Sequence, residues 1–107
     1  MKYGDITFLK GTAFKDMKKV LARILVEGRL HGMNFRYKTR QQATKLGLVG
    51  FVRNLSDGRI EIEAQGDEDK VEQLLDWCQQ EPHGSQIKSI LFRYDEPVKN
   101  YVDFMMR

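Results

Sequence analysis

The chain has 107 residues, of which 41% are hydrophobic and 31% are charged, so its composition fits one soluble globular domain and excludes a disordered or fibrous chain. Its net charge of +3 comes from 18 basic and 15 acidic side chains that are interspersed, and no basic stripe indicates nucleic-acid binding. No apolar run reaches the roughly 18 residues of a membrane span, and the first 16 residues lack the apolar core of a signal peptide.

The single cysteine and the two histidines argue against a disulfide and against a metal site. Cys78 has no second cysteine to pair with, and together with His31 and His83 it lacks the paired spacing of zinc ligands. We therefore expect a cytoplasmic protein that contains no structural metal and needs no cofactor.

The first half of the chain predicts a strand, a loop, a helix and a second strand. Residues 19–27, KVLARILVE, carry apolar side chains on both faces, which is typical of a central strand. After the loop GRLHGMNFR (28–36), the segment RYKTRQQATKLG predicts a helix that ends at Gly47. LVGFVRN (48–54) and RIEIEA (59–64) flank the turn LSDG and therefore predict a β-hairpin.

In the second hairpin strand, Ile60, Ile62 and Ala64 are expected to face the core, whereas Glu61 and Glu63 face water. Gly66 is predicted to end this strand, and the acidic residues after it favour the start of a second helix. The buried stripe of that helix has the spacing i, i+3, i+4 and i+7, and consists of Val71, Leu74, Leu75 and Cys78.

The last part of the chain adds two more strands. Pro82 is expected to stop the second helix, residues 86–94 alternate as a strand, and residues 102–106 form a short edge strand. This order of elements predicts an α+β fold, the ferredoxin-like split βαβ sandwich. Its sheet is mainly antiparallel, with two helices on one face and the short fifth strand at an edge.

The loop GRLHGMNFR does not match two common nucleotide-binding motifs. A P-loop needs Lys and Ser or Thr after its last glycine, and the dinucleotide fingerprint needs three glycines. The two glycines instead permit a tight turn in which successive backbone N–H groups converge on one anion near a helix N-terminus. Arg36 adds a planar, permanently charged guanidinium that can donate hydrogen bonds to two oxygens of one anion. On spacing alone, a plain structural turn with a surface arginine is the favoured interpretation.

Asn54 is a polar residue at the end of the first hairpin strand. In the split βαβ topology the strands before and after the first helix are parallel, so the crossover and the sheet twist decide whether Asn54 reaches the loop. Asparagine at a strand end most often caps a turn, and that interpretation stays open.

The loop GRLHGMNFR together with GLVGFVRNLSDGRIEIEAQG resembles the two signature motifs of the acylphosphatase family. The second motif has eight residues at the family spacing: Gly50, Phe51, Val52, Arg53, Asn54, Asp57, Gly58 and Gly66. KVEQLLDWCQQEP is similar to the second helix of the family, and FMMR to its last strand. The resemblance covers residues 17–107, and residues 1–16 are expected to be an N-terminal extension of unknown role.

The resemblance implies hydrolysis of small acyl phosphates to carboxylate and inorganic phosphate at a metal-free site. By motif position, Arg36 would bind the phosphate and Asn54 would hold the attacking water. The backbone cradle would be Arg29, Leu30, His31, Gly32, Met33, Asn34 and Phe35. The chemistry is compatible, because a carboxylate with a conjugate-acid pKa of about 4 leaves without a general acid. Phosphoryl transfer asks mainly for positioning and charge stabilisation.

The first motif departs from the usual Gly-Arg-Val-Gln-Gly-Val of the family at Leu30, His31 and Met33. A backbone cradle should tolerate Leu and Met, whereas His31 could replace the glutamine's hydrogen bonds, add positive charge near the phosphate, or simply be exposed. These changes leave open an accessory domain that binds acyl or carbamoyl phosphate without turnover.

An RNA-binding module is disfavoured, because Glu61 and Glu63 would repel phosphate. We expect a monomer with a small acyl phosphate as its partner and no nucleic acid or membrane.

Overall fold

Five strands and two α-helices make up the described part of the chain, residues 18–98 and 100–107 of a computed structural model. Their bounds are β1 Lys19–Gly28, α1 Phe35–Lys45, β2 Val49–Asn54, β3 Ile60–Asp67, α2 Glu68–Cys78, β4 Ile87–Asp95 and β5 Phe104–Met106. Every strand and helix predicted from the sequence is present, with its ends shifted by three residues or fewer. The N-terminal extension predicted for residues 1–16 lies outside the described residues.

The five strands form one mixed sheet in the order β4-β1-β3-β2-β5. β1 pairs antiparallel with both β3 and β4, β2 pairs antiparallel with β3, and β5 runs parallel to β2 at the edge. The two helices pack against each other and against the sheet, so the predicted ferredoxin-like α+β fold is confirmed. Because β3 runs opposite to both β1 and β2, those two strands end at the same end of the sheet.

The core lies between the sheet and the helices. β1 contributes alternate residues from Val20 to Val26, and β3 contributes Ile62 and Ala64. Helix α2 buries the stripe that its spacing predicts, namely Val71, Leu74, Leu75 and Cys78. Each fully buried Leu, Ile or Val side chain stabilises the fold by about 1.5–3 kcal/mol relative to an exposed one.

Strand β3 is longer than predicted, and the expectation that Gly66 ends it is wrong. The strand continues to Asp67, and Gly66 pairs with Val20 of β1. A Cβ atom on residue 66 would lie 2.7 Å from Cδ2 of Leu48, which is closer than carbon atoms approach. A larger residue would therefore force the end of the Leu48 side chain to shift, and the glycine does not mark a break in the strand.

The expectation that Glu63 faces water is also wrong. Only 8% of Glu63 is exposed, although it lies on the face of the sheet opposite the helices. Arg23 donates to its Oε2 atom at 2.5 Å, and the Tyr101 hydroxyl donates to its Oε1 atom at 2.5 Å. The chain between β4 and β5 therefore crosses part of the face that an alternating pattern assigns to solvent.

Cys78 is completely buried in this core, and burial raises the pKa of its thiol to about 12. We predict that it does not react with a disulfide reagent such as DTNB at pH 8 in the native protein, and reacts in urea. Because the folded-state pKa is raised, the thiol contributes stability below the unfolded pKa near 9.0 and loses it as the pH rises further. The absorbance of the thiolate released from DTNB measures the rate at which Cys78 reacts. Equal reaction rates with and without urea would contradict the prediction that the native thiol is protected.

Candidate active site

The loop between β1 and α1 is fixed at two points by its own backbone. The Arg29 amide donates to the carbonyl of Gln86 at 2.9 Å, which ties the beginning of the loop to the residue just before β4. The Met33 amide donates to the carbonyl of Leu30 at 3.3 Å and closes a turn. The segment between these two bonds is therefore held in a defined shape.

Four amides of this loop have no backbone acceptor in the described part of the chain. Gly32 and Asn34 adopt left-handed backbone angles, with φ of 78° and 56°, and turn the chain into α1. No backbone hydrogen bond among the described residues uses the N–H groups of Leu30, His31, Gly32 or Asn34. His31, Gly32 and Asn34 are exposed, so their N–H groups are open to water or to an anion, and successive free donors of this kind suit an anion.

The start of α1 adds further donors next to the loop. Asn34 occupies the N-cap position without a side-chain capping bond, and the first turn contains no acidic residue. The amides of Phe35 and Arg36 belong to the first turn, where a helix offers no intrahelical acceptor, and the positive end of the helix dipole lies here. The N-terminus of α1 therefore favours negative charge.

The loop, the start of α1 and the end of the hairpin line one cavity of about 250 Å³. Its lining contains no carboxylate and consists of Val26, Gly28, Leu30, His31, Gly32, Asn34, Phe35, Arg36, Asn54, Gly58 and Ile60. The parallel β1 and β2 bring Asn54 to this end of the sheet. Arg36, Asn54 and five of the seven predicted loop residues thus lie around the same space.

The other two loop residues lie elsewhere. Met33 packs against the core, and Arg29 lines a neighbouring groove with Ser85 and Gln86. The amides of both residues already have acceptors within the protein. Leu30 and Phe35 have buried apolar side chains, with 7% and 3% exposed, so only their backbone groups can hydrogen-bond in the cavity.

Arg36 is oriented by a residue that the sequence analysis did not identify. Its Nη1 atom donates to the carbonyl of Arg107 at 2.7 Å. The Arg107 amide donates to the carbonyl of Val52 at 2.9 Å, and the Arg107 guanidinium lies 4.2 Å from the ring centroid of Phe51. A guanidinium has five N–H donors, so this bond fixes Arg36 and leaves donors for an anion. The family-like ending FMMR was the only signal for Arg107, and it did not indicate this contact.

Asn54 and His31 present polar side chains to the cavity without a partner among the described residues. Both are exposed, and neither side chain makes a hydrogen bond to the described part of the chain. Asp57, in the adjacent turn, is directed away by Arg59, whose amide and Nε atom donate to its carboxylate at 3.0 and 2.9 Å. The hydrogen bonds and charge of Arg59 lower the pKa of Asp57, so this carboxylate is ionised and occupied.

A larger and more open groove, of about 700 Å³, lies along α1 beside Trp77 and His83. It contains none of the residues that the two motifs predict for the site. Among residues 18–98 and 100–107, no group of three or more His, Cys, Asp or Glu side chains is placed to hold a metal ion. The smaller cavity, by contrast, is lined by residues of the loop together with Arg36 and Asn54.

Comparison with known proteins identifies the family. A family model described as Acylphosphatase matches residues 22–106. The chain belongs to the acylphosphatase family. An acylphosphatase of Nostoc sp. is 41% identical to it over 78 residues, which are 73% of this chain and 77% of that relative. As an acylphosphatase, the chain hydrolyses acyl phosphates, and the family and the activity predicted from its motifs are confirmed.

Solved acylphosphatase structures have the same fold. The chain resembles an acylphosphatase from Coxiella burnetii with a TM-score of 0.74 and 30% identity, covering 83% of this chain and 93% of that one. For an acylphosphatase from Bacillus subtilis the TM-score is 0.75 and the identity 29%, with 82% and 98% covered. In the described part of this acylphosphatase, no helix has the length and apolar character needed to cross a bilayer.

Gly32 adopts a left-handed backbone angle that favours glycine. A Cβ atom there would meet nothing within 4 Å, so a side chain adds only the strain of its φ of 78°. We expect Gly32→Ala to destabilise the acylphosphatase by about 1 kcal/mol, and Gly32→Asn by less, because asparagine tolerates left-handed angles better. Urea unfolding measures both. Equal stability of the alanine variant and the parent would show that the loop relaxes freely.

Proposed function

We propose that this acylphosphatase binds the phosphoryl group of a small acyl phosphate in the cavity between the β1–α1 loop and the end of β2. Water then attacks phosphorus in line with the departing carboxylate. The observation that supports this proposal is the convergence of Arg36, Asn54 and several free amides on a space without a carboxylate. A phosphoryl dianion therefore meets no carboxylate among the residues that line this cavity.

Binding is assigned to the backbone and to Arg36. The free loop amides and the first-turn amides of α1 donate to the phosphoryl oxygens, and Arg36 donates through the nitrogens that Arg107 does not use. These groups are already oriented before the substrate arrives. They therefore stabilise the charge of the transition state without reorganisation.

The chemical step is assigned to a water held by Asn54. The amide oxygen of Asn54 accepts a hydrogen bond from that water and directs its lone pair at phosphorus. The new bond between water oxygen and phosphorus forms while the bond from phosphorus to the acyl oxygen breaks. Its electron pair leaves with the carboxylate, and the proton of the water passes to the phosphate product or to solvent. The weakly basic carboxylate needs no general acid.

We further propose that no metal or cofactor takes part, because Arg36 and the amides supply the positive charge that the reaction needs. The protein is proposed to act as a monomer in the cytoplasm and to bind no nucleic acid. The single thiol, Cys78, is buried in the core, as expected for a reducing compartment. Glu61, which is partly exposed on the sheet face opposite the helices, disfavours a phosphate backbone there.

The test is hydrolysis of benzoyl phosphate by protein treated with EDTA. We expect turnover that EDTA leaves unchanged and that inorganic phosphate inhibits competitively, since the product contains the group that the cavity binds. The non-catalytic accessory domain predicts a different result. Protection against unfolding by phosphate, together with negligible hydrolysis, would support that alternative and overturn the mechanism.

A further inference from the structure

The face of the sheet opposite the helices carries a row of side chains that crosses all five strands. Register pairs Arg93 with Arg23, Arg23 with Glu63, Glu63 with Phe51, and Phe51 with Met105. Arg23 donates to Glu63 and also, through Nε at 2.7 Å, to Asp95. The middle of the row is therefore a connected polar network, and its Glu63 is nearly inaccessible to water.

Tyr101 covers part of this network and contacts both Glu63 and Phe51. Its hydroxyl donates to Glu63 at 2.5 Å, and its ring lies edge-on to Phe51 with centroids 6.2 Å apart. Burial and the bond to Glu63 raise the pKa of Tyr101 to about 12, so the hydroxyl is a proton donor throughout the neutral range. The position of the Phe51 ring is thus set partly by Tyr101.

Phe51 in turn contacts the residue that orients Arg36. The Arg107 guanidinium lies over the Phe51 ring, a cation–π contact, while the Arg107 carbonyl accepts from Arg36. Arg107 thereby links Phe51 to the cavity, because its side chain lies over Phe51 and its carbonyl is bonded to Arg36, which lines the cavity. A continuous set of contacts runs from Glu63 through Tyr101, Phe51 and Arg107 to Arg36.

We infer that Tyr101 is a positioning residue for Arg36, acting from the opposite face of the sheet through Phe51 and Arg107. This inference rests on the proposed role of Arg36 in binding the phosphoryl group. Losing the hydroxyl removes the bond that holds the ring against Phe51, and the Arg107 carbonyl then becomes a less fixed acceptor. Small displacements of a group that contacts the reacting phosphoryl change rates strongly.

The test compares Tyr101→Phe with the matched control Tyr37→Phe. Tyr37 also has one side-chain hydrogen bond, from Gln41 at 3.2 Å, but it lies on the exposed side of α1. NMR titration with inorganic phosphate measures affinity, and thermal unfolding measures stability separately. We expect Tyr101→Phe to weaken phosphate binding about fivefold and to lower kcat/KM for benzoyl phosphate by about five- to tenfold. Tyr37→Phe should change neither.

Coupling to Arg36 distinguishes positioning from a purely structural role. In an Arg36→Ala background, Tyr101→Phe should have no further effect on phosphate affinity. Arg107→Ala keeps the carbonyl but removes the cation over Phe51, and we expect the same loss as for Tyr101→Phe, without additivity. A lower melting temperature with unchanged phosphate affinity would overturn the inference, as would an equal loss in the Arg36→Ala background.

The same experiment separates this inference from the proposed function. If Arg36→Ala binds phosphate as tightly as the parent protein, the assigned role of Arg36 fails, and the role of Tyr101 fails with it. If Arg36→Ala binds weakly and Tyr101→Phe binds normally, only the positioning role is wrong.

Discussion

Arg36→Ala should lower kcat/KM for benzoyl phosphate by about 10³-fold, which corresponds to about 4 kcal/mol of transition-state stabilisation. Arg36 carries the one permanent positive charge among the lining residues of the cavity. Alanine removes that charge from a space whose amides alone must then balance the phosphoryl group. Steady-state kinetics provide the measurement, and inhibition by inorganic phosphate should weaken in parallel.

Arg40→Ala is the matched control for this experiment. Arg40 lies one turn further along α1, with its guanidinium 5.4 Å from the ring centroid of Tyr37, and it does not line the cavity. The change in net charge is the same, so an effect of overall charge would affect both variants. We expect Arg40→Ala to retain near-parental kcat/KM. An Arg36→Ala variant with more than about a tenth of the parental activity would be incompatible with the assigned role.

Asn54→Ala should lower kcat by about 10²- to 10³-fold while leaving the inhibition constant of inorganic phosphate almost unchanged. The reason is the division of roles, since Asn54 is assigned to the water and the loop and Arg36 are assigned to the phosphoryl group. The side chain lies at the exposed end of β2 and makes no hydrogen bond to the described residues, so its loss should not destabilise the fold.

The neighbouring Arg53 supplies the control for Asn54. Its Nε atom donates to Glu61 at 2.6 Å, and its side chain does not line the cavity. Arg53→Ala should therefore keep kcat close to that of the parent protein. Should Asn54→Ala lose phosphate binding and turnover to the same extent, Asn54 would be a phosphate ligand and the water would need another partner.

Local sequence patterns predicted the elements of this fold well, because periodicity and turn residues act within a few positions. The buried stripe of α2 and the order of strands and helices followed from spacing alone. The motifs pointed to Arg36 and Asn54 and to a cavity in which the structure brings them together. What remained unpredicted depends on contacts between distant residues. Glu63 is covered by Tyr101, 38 positions away, and Arg36 is held by Arg107, 71 positions away.

The contact between Arg36 and Arg107 also has a consequence for the order in which the enzyme matures during translation. The loop and α1 leave the ribosome long before β5, because synthesis proceeds from the N-terminus. β5 pairs with β2 and places the Arg107 carbonyl beside Arg36, so Arg36 acquires this acceptor only when β5 is in place. A nascent chain that still lacks β5 would have the proposed phosphate cradle but an unrestrained Arg36. Under the proposed mechanism, full activity therefore requires the synthesis and pairing of β5, in addition to the loop and α1.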